Sequence, residues 1–359
     1  MYMQSKQLSF KGQKIYVGID VHKRTWSVTT MMETGPYRTH VQKASASELA
    51  VFLEKHYPDA DYLAAYESGF TGFSTYYALT SCGIDCLVVN AADIPTTQYE
   101  NLMKSDPVDS LKIAKALRAG QLKGIYPRSL DNLDDRSVVR VRKTMQGELA
   151  RYKSRVKHML MSNGVVIPDE FERSRHWSMA FMKWLREDVQ LLSPTRLSLD
   201  LLLDQVELSR KNLLKATLEV RHMCQWEKYR HKYDLLRSVP GLGDLTIMTI
   251  LTEIYDVGRF HNERQFASYL GLVPTSHSSG DRTIHGEMTF RGNMLIGPLL
   301  IEASWVAINN DEGLALAYGN YRKRGQVPQQ AIVRIARKLS NIIFSILKND
   351  RCYTPYMVN

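Results

Sequence analysis

The spacing of apolar positions changes character along this chain. Near the N-terminus they come as short β-branched runs. IYVGIDV (15–21), TWSVTTM (25–31) and a third run over 36–42 predict a meander of strands. A helix opened by Ser45 or Ser47 follows, carrying Leu49, Phe52 and Leu53. DYLAAYE (61–67) reads as a buried strand, Gly69 and Gly72 as a turn, 73–81 as a helix and DCLVV (85–89) as another strand. PVDSLKIAKALRA (107–119) is an amphipathic helix with Pro107 in its first turn. Strands in a run, then strands alternating with helices, predict a mixed α/β sheet ending near Pro127.

Beyond that point the period is helical. Residues 131–163 read as one long helix. In 195–224, Leu199, Val206, Leu213 and Val220 fall seven apart, and Leu202, Ala216 and Met223 mark a second seam that Ser209 breaks. Such a segment is a short coiled coil, which implies a dimer, or a bundle helix, which does not. Residues 234–254 read as helix, tight turn at Val239-Pro240-Gly241-Leu242-Gly243, and second helix. The free N–H groups of that second helix face the turn. The element is a helix-hairpin-helix-like grip on phosphates, with Gly241 and Gly243 at the contact, or a plain αα-corner. No strand precedes these glycines, so they are not a dinucleotide fingerprint. GLVPTSHSSGDRTIHGEMTFRGN (271–293) has no period and predicts a loop or a pair of short hairpins. Helices are expected over 264–272, 294–308 and 328–348. The segment 169–192, with Trp177 and Trp184, fits no pattern.

Charge sharpens the picture. The chain has 359 residues, 44% apolar and 23% charged, as in ordinary soluble globular proteins. Lys and Arg outnumber Asp and Glu by 47 to 37, for a net +10. That points to DNA or RNA, with a merely basic protein as the bland alternative. The excess is concentrated in 136–158, where Arg136, Arg140, Arg142, Lys143, Arg151, Lys153, Arg155 and Lys157 face a single acid, Glu148. This is too one-sided for i,i+4 ion pairing and suits a helix that tracks phosphates. The cysteines (82, 86, 224, 352) lack zinc-site spacing and read as reduced thiols. With no apolar leader and no stretch long enough to span a bilayer, the expected location is the cytoplasm.

Within this basic chain four acids stand where a strand ends or a helix begins. Asp20 ends the first strand, and Glu67 ends a later one. Asp106 and Asp109, three apart at a helix start, share a face. Gathered together they would repel one another unless a cation offset the charge. Oxygen ligands of this kind suit Mg²⁺ (or Mn²⁺), whose use on nucleic acid is to polarise a phosphate. Each acid taken singly is an ordinary surface or capping residue, Asp106 especially. Far downstream, Ser279 in Ser278-Ser279-Gly280 is a candidate nucleophile, with His277, Arg282, His285 and Arg291 near in sequence. A turn serine before glycine is the common alternative.

GIDVHKRTW, AYESGFTG around Glu67, and KSDPVDSLKIAKAL resemble the N-terminal half of the insertion-sequence "one-ten" family, the DEDD transposases. LLRSVPGLGDLTIMTIL and FASYLGLVPTSHSSGDRTIHGEMTFRGN are similar to its second block, so the resemblance covers roughly 15–125 and 233–345. It implies a RuvC-like (RNase H-type) domain over 1–128 and a mainly α transposase domain over 234–359, with the basic helix and coiled-coil region over 129–233, read from charge and heptad spacing, between them. It implies that Asp20, Glu67, Asp106 and Asp109 are the tetrad that coordinates Mg²⁺, and that a serine before glycine, Ser279 or its neighbour Ser278, is the nucleophile. It also implies a recombinase acting on donor and target DNA under a structured guide RNA, the bridge RNA, as a dimer of dimers with composite sites. The alternative is a metal-dependent Holliday-junction resolvase-like nuclease with the serine idle. One departure stands out: after Gly292-Asn293 the family often has arginines, and this chain reads MLIGPLLIEASW. Arg322, Lys323 and Arg324 are the replacement candidates.

Overall fold

The computed structural model describes residues 9–97, 105–172, 177–279, 282–288 and 292–355. They form two compact units that divide between Arg128 and Ser129.

The first unit is built on a five-stranded sheet in the order β3-β2-β1-β4-β5. Strands β1 (Lys14–Val21), β2 (Thr25–Met31) and β3 (Tyr37–Lys43) form the antiparallel meander. Helix α1 (Ala46–His56), capped by Ser45, crosses over to β4 (Asp61–Glu67), which lies parallel to β1. Helix α2 (Ser74–Ser81) leads to β5 (Asp85–Val89), parallel to β4. Alternation decides which side chains go where. Ile15, Val17 and Ile19 of β1, with Ala64 and Tyr66 of β4, pack on Leu49 and Leu53 of α1 and Leu79 of α2. The opposite parity faces helix α3 (Asp106–Arg118), where Tyr16, Leu63 and Ala65 meet Ile113 and Leu117.

Gly18 sets how closely α3 approaches. A Cβ there would lie 2.1 Å from the Ser110 carbonyl oxygen and 2.4 Å from the Ala114 nitrogen. Only a residue without a side chain lets helix backbone rest on strand backbone this way. The register pairs Gly18 with Thr29 and Asp20 with Ser27 across β1 and β2. Both hydroxyls therefore point at α3, and the buried Ser110 Oγ lies 2.9 Å from Thr29 Oγ1 and 3.2 Å from Ser27 Oγ.

The second unit opens with α4 (Leu130–Ser162), capped by Ser129. After the single turn α5 (Asp169–Glu172) come α6 (Met179–Glu187) and the long α7 (Ser193–Met223), which packs along α4. The segment 169–192, unassignable from sequence, wedges one end of that pair. Trp177, Phe181 and Leu185 bury against Val156 and Leu160 of α4 and Leu199, Leu203 and Val206 of α7. Leu199, Val206 and Val220 of the heptad seam are thus buried within the chain. Helices α8 (Glu227–Arg237), α9 (Asp244–Ile254) and α10 (Glu263–Tyr269) follow. Strands β6 (Pro274–Ser279) and β7 (Arg282–Met288) then form one antiparallel hairpin within the aperiodic stretch. Helices α11 (Ile296–Ala307), α12 (Glu312–Lys323) and α13 (Pro328–Asn349) complete the unit around a core that includes Ile247, Leu300, Ile335 and Leu339. All four cysteines are free thiols, and among the described residues no helix is long and apolar enough to cross a membrane.

Candidate metal centre and nucleic-acid surface

Ile19 and Tyr66 are paired neighbours on the parallel strands β1 and β4, so Asp20 and Glu67 come next, at the carboxyl ends of both. Their parity places them on the α3 face. Asp106 and Asp109 occupy the first turn of α3, where the helix dipole favours negative charge. Ser105, not Asp106, takes the N-cap position. The close docking at Gly18 brings that first turn to Asp20. His22 completes the meeting: its Nε2 lies 3.2 Å from Asp20 Oδ2 and 3.4 Å from Asp106 Oδ2. One ligand atom from each of the three residues falls within 4.8 Å of the others.

The two remaining acids are placed differently. Asp109 accepts from Lys112 Nζ at 2.7 Å, and its charge is still felt at Asp20. Glu67 is exposed at its strand end and lies outside the trio. Burial pushes the Asp20 carboxyl up from its ordinary value, the His22 contact opposes this, and the charges of Asp106 and Asp109 push it further up. A half-buried acid raised by burial and like charges is a group that a cation would relieve. Two carboxylates and an imidazole in reach of one point fit a divalent metal ion. His22 is the member that the sequence reading missed. It sits two residues after Asp20, the spacing of one strand face, and that was its only signal.

The cations of α4 divide into several groups. Arg136 and Arg140 turn onto the buried Glu253 of α9, with Nε atoms 3.0 and 2.7 Å from Oε1. Arg151 pairs with Glu148. Arg142 Nε donates to Thr217 Oγ1 of α7 at 3.0 Å. Lys153 lies over the Trp177 ring and Arg155 over Tyr152. Lys143 and Lys157 are exposed. Burial, and then Arg221 of α7, pulls the Arg142 guanidinium below its usual range. Burial, and then Arg210 and Lys157, does the same to Lys153. Cations of α4 and α7 therefore face each other, with Arg221 Nε also 4.0 Å from Asp244 Oδ2, and an anion laid along the pair would relieve the repulsion. Arg210 and Arg221 belong to this surface and were not singled out from sequence.

At the glycine turn, Gly241 has φ +87°, and a Cβ on it would lie 2.3 Å from the Ala303 carbonyl oxygen. Its lack of a side chain serves packing on α11. Gly243, the N-cap of α9, opens onto free space. Asp244 in the first turn accepts from Tyr233 Oη and stands at the helix end where a phosphate would sit.

Residues 17–163 match the family profile of the DEDD transposases, and residues 233–319 match "Transposase IS116/IS110/IS902 family". The chain thus carries two transposase domains of the IS110/IS116/IS902 family. Among relatives, the transposase for insertion sequence element IS1533 of Leptospira borgpetersenii is 26% identical over 70% of this chain and 73% of its own length. The y4qE protein of Sinorhizobium fredii is 29% identical over 67% of this chain, which spans 57% of that protein. The pilin gene-inverting protein of Moraxella bovis is 30% identical over 34% of this chain and 38% of its own.

The DEDD match takes in Asp20, His22, Glu67, Asp106 and Asp109, and the second transposase match takes in the glycine turn and the hairpin. Ser279 ends β6 with its backbone opposite Arg282. The side chains of Ser278, Ser279 and Arg282, and Arg291 entirely, lie outside the described residues.

Proposed function

We propose that this transposase cuts and rejoins DNA through a covalent phosphoserine link at Ser279. The observation that carries the reading is the convergence of Asp20, His22 and Asp106, assembled from two elements by the docking of α3. A divalent cation held by these residues, with Glu67 and Asp109 beside them, would supply Lewis-acid polarisation of the scissile phosphate. The bond exchange falls to the chain. Ser279 Oγ attacks phosphorus, the Ser–O–P bond forms as the bond to the sugar oxygen breaks, and that oxygen takes up the proton the serine gives up. Each phosphodiester lost is replaced by one to the enzyme. Rejoining is the reverse attack by a different DNA end, so no nucleotide triphosphate is consumed.

The cationic faces of α4 and α7 support a nucleic-acid backbone as partner. We take the partners to be donor and target DNA with an element-encoded guide (bridge) RNA. The protein would hold that RNA by shape and charge while base pairing supplies the specificity. A homo-oligomer, dimer or tetramer, would bring the acids of one subunit to the serine of another. The test uses purified protein, Mg²⁺, guide RNA and both DNAs. Ser279→Ala should abolish the covalent adduct and rejoining, and omission of the RNA should abolish recombination. Wild-type cutting and rejoining by Ser279→Ala would instead favour the junction-nuclease alternative.

A further inference from the structure

Glu253 is fully buried in the last turn of α9, the end of a helix where the dipole opposes negative charge. A carboxylate there is unfavourable unless strongly compensated. Arg140 donates to both of its oxygens, at 2.7 and 3.2 Å, and Arg136 Nε stands 3.0 Å from Oε1. Burial works to raise its carboxyl, but Arg140, Arg136 and Asn293 outweigh burial and hold it below the ordinary glutamate range. The carboxylate is thus kept ionised at neutral pH, with two guanidiniums on one side.

On the other side is the root of the serine hairpin. Asn293 Nδ2 donates to Glu253 Oε2 at 2.9 Å, while its Oδ1 accepts from the backbone of Leu295 and Ile296 at the start of α11. Tyr269 Oη donates to the Glu253 carbonyl at 2.9 Å, and the Asn293 N–H donates to the Tyr269 carbonyl. Next to Asn293, Gly292 lies against the other foot: a Cβ on it would be 2.2 Å from Gly271 Cα. The neighbouring Leu272 carbonyl accepts from Arg337 Nη1 at 3.2 Å. Both feet of β6–β7 are therefore fixed, one of them through Glu253.

We propose that Glu253 is a positioning residue for the Ser279 hairpin, and that Arg136 and Arg140 tie the root of that hairpin to the cationic helix α4. This rests on Ser279 being the nucleophile. Asn293 transmits the link: it touches Glu253, Tyr269 and the start of α11 together.

The experiment compares full-length wild type, Glu253→Gln, Asn293→Ala, the double variant and Ser279→Ala. Three readouts are taken: rate of covalent adduct formation with Mg²⁺, DNA affinity, and amide hydrogen exchange of 271–293 against α13. Asn293→Ala keeps the buried ion pairs and guards against a Glu253→Gln chain that fails to fold. Expected are faster exchange confined to 271–293, affinity unchanged, and an adduct rate lowered on the order of 10-fold to 100-fold, as for other misplacements of about 1 Å. The double variant should be no worse than the poorer single one, since the two residues act in series. Wild-type exchange and adduct rate in both single variants would overturn the proposal. So would a parallel loss of adduct, affinity and α13 protection, which is a purely structural effect. If wild type itself forms no adduct at Ser279, the proposed function fails instead, while the exchange measurement still decides whether Glu253 anchors the hairpin.

Discussion

Gly18→Ala tests the assembly of the acidic site without touching an acid. The new Cβ would sit 2.1 Å from the Ser110 oxygen and 2.4 Å from the Ala114 nitrogen, both backbone atoms of α3 that cannot rotate away. Restoring ordinary contact requires α3 to retreat by about 1 Å. Overpacking of this kind costs about 1–3 kcal/mol, and backbone contact places it at the upper end. Retreat also stretches the hydroxyl contacts of Ser110 with Thr29 and Ser27, each worth about 1 kcal/mol. The expected loss is about 3 kcal/mol in urea unfolding, with the slope unchanged. Asp106 lies one turn before Ser110, so it moves with the helix and away from Asp20 and His22. Affinity for Mn²⁺, read by calorimetry, should fall at least about 10-fold, and strand cleavage about 100-fold. Gly147→Ala is the control. That glycine is inside α4 with nothing within 4 Å of a new Cβ, so the change should stabilise by up to about 1 kcal/mol. A Gly18→Ala protein with wild-type urea midpoint and cation affinity would refute the close-docking argument.

Other expectations follow from the same geometry. Ser110→Ala should cost about 1–3 kcal/mol in urea unfolding, because it strips a partner from buried hydroxyls on β2. Cation and proton compete for Asp20, whose carboxyl burial, Asp106 and Asp109 push above its ordinary range, so Mn²⁺ affinity should weaken as pH falls through that raised value. Asp109→Asn removes one of the raising charges and should move the calorimetric pH profile to lower pH. The depressed Glu253 carboxyl contributes stability present above the ordinary value of 4.5 and lost as pH falls through its lower folded value. The stability gap between wild type and Glu253→Gln should therefore narrow below that pH in denaturant titrations. Lys143→Ala with Lys157→Ala should weaken binding equally across DNA sequences and flatten the slope of log affinity against log salt by about 2. Unchanged salt dependence would remove α4 from the nucleic-acid surface.

The strands, and the strand ends at which Asp20 and Glu67 lie, were legible because short β-branched apolar runs bounded by turn residues mark them. The long helices were legible because apolar positions recur at helical spacing over many turns. What stayed hidden depends on partners far away in sequence. Gly18 gives no sign that a helix nearly a hundred residues later rests on it. His22 looks like any turn histidine until Asp106 arrives beside it. Arg136 and Arg140 read as phosphate contacts because their carboxylate, Glu253, lies more than a hundred residues downstream in an apolar helix. The heptads of α7 read equally as a dimer seam, and only the position of α4 shows what buries Leu199 and Val206. Gly241 and Gly243 form one motif in sequence, yet the first serves packing and the second opens outward.

The central claim is that one hydroxyl and one acidic cluster act on the same phosphate. Trapping the protein on donor DNA with Mg²⁺ and guide RNA, then sequencing the nucleotide-bearing peptide by mass spectrometry, tests this directly. The account predicts a phosphodiester on Ser279, absent from Asp20→Asn and from Ser279→Ala. Cleaved DNA with no protein-linked nucleotide, or a link formed undiminished in Asp20→Asn, would contradict it.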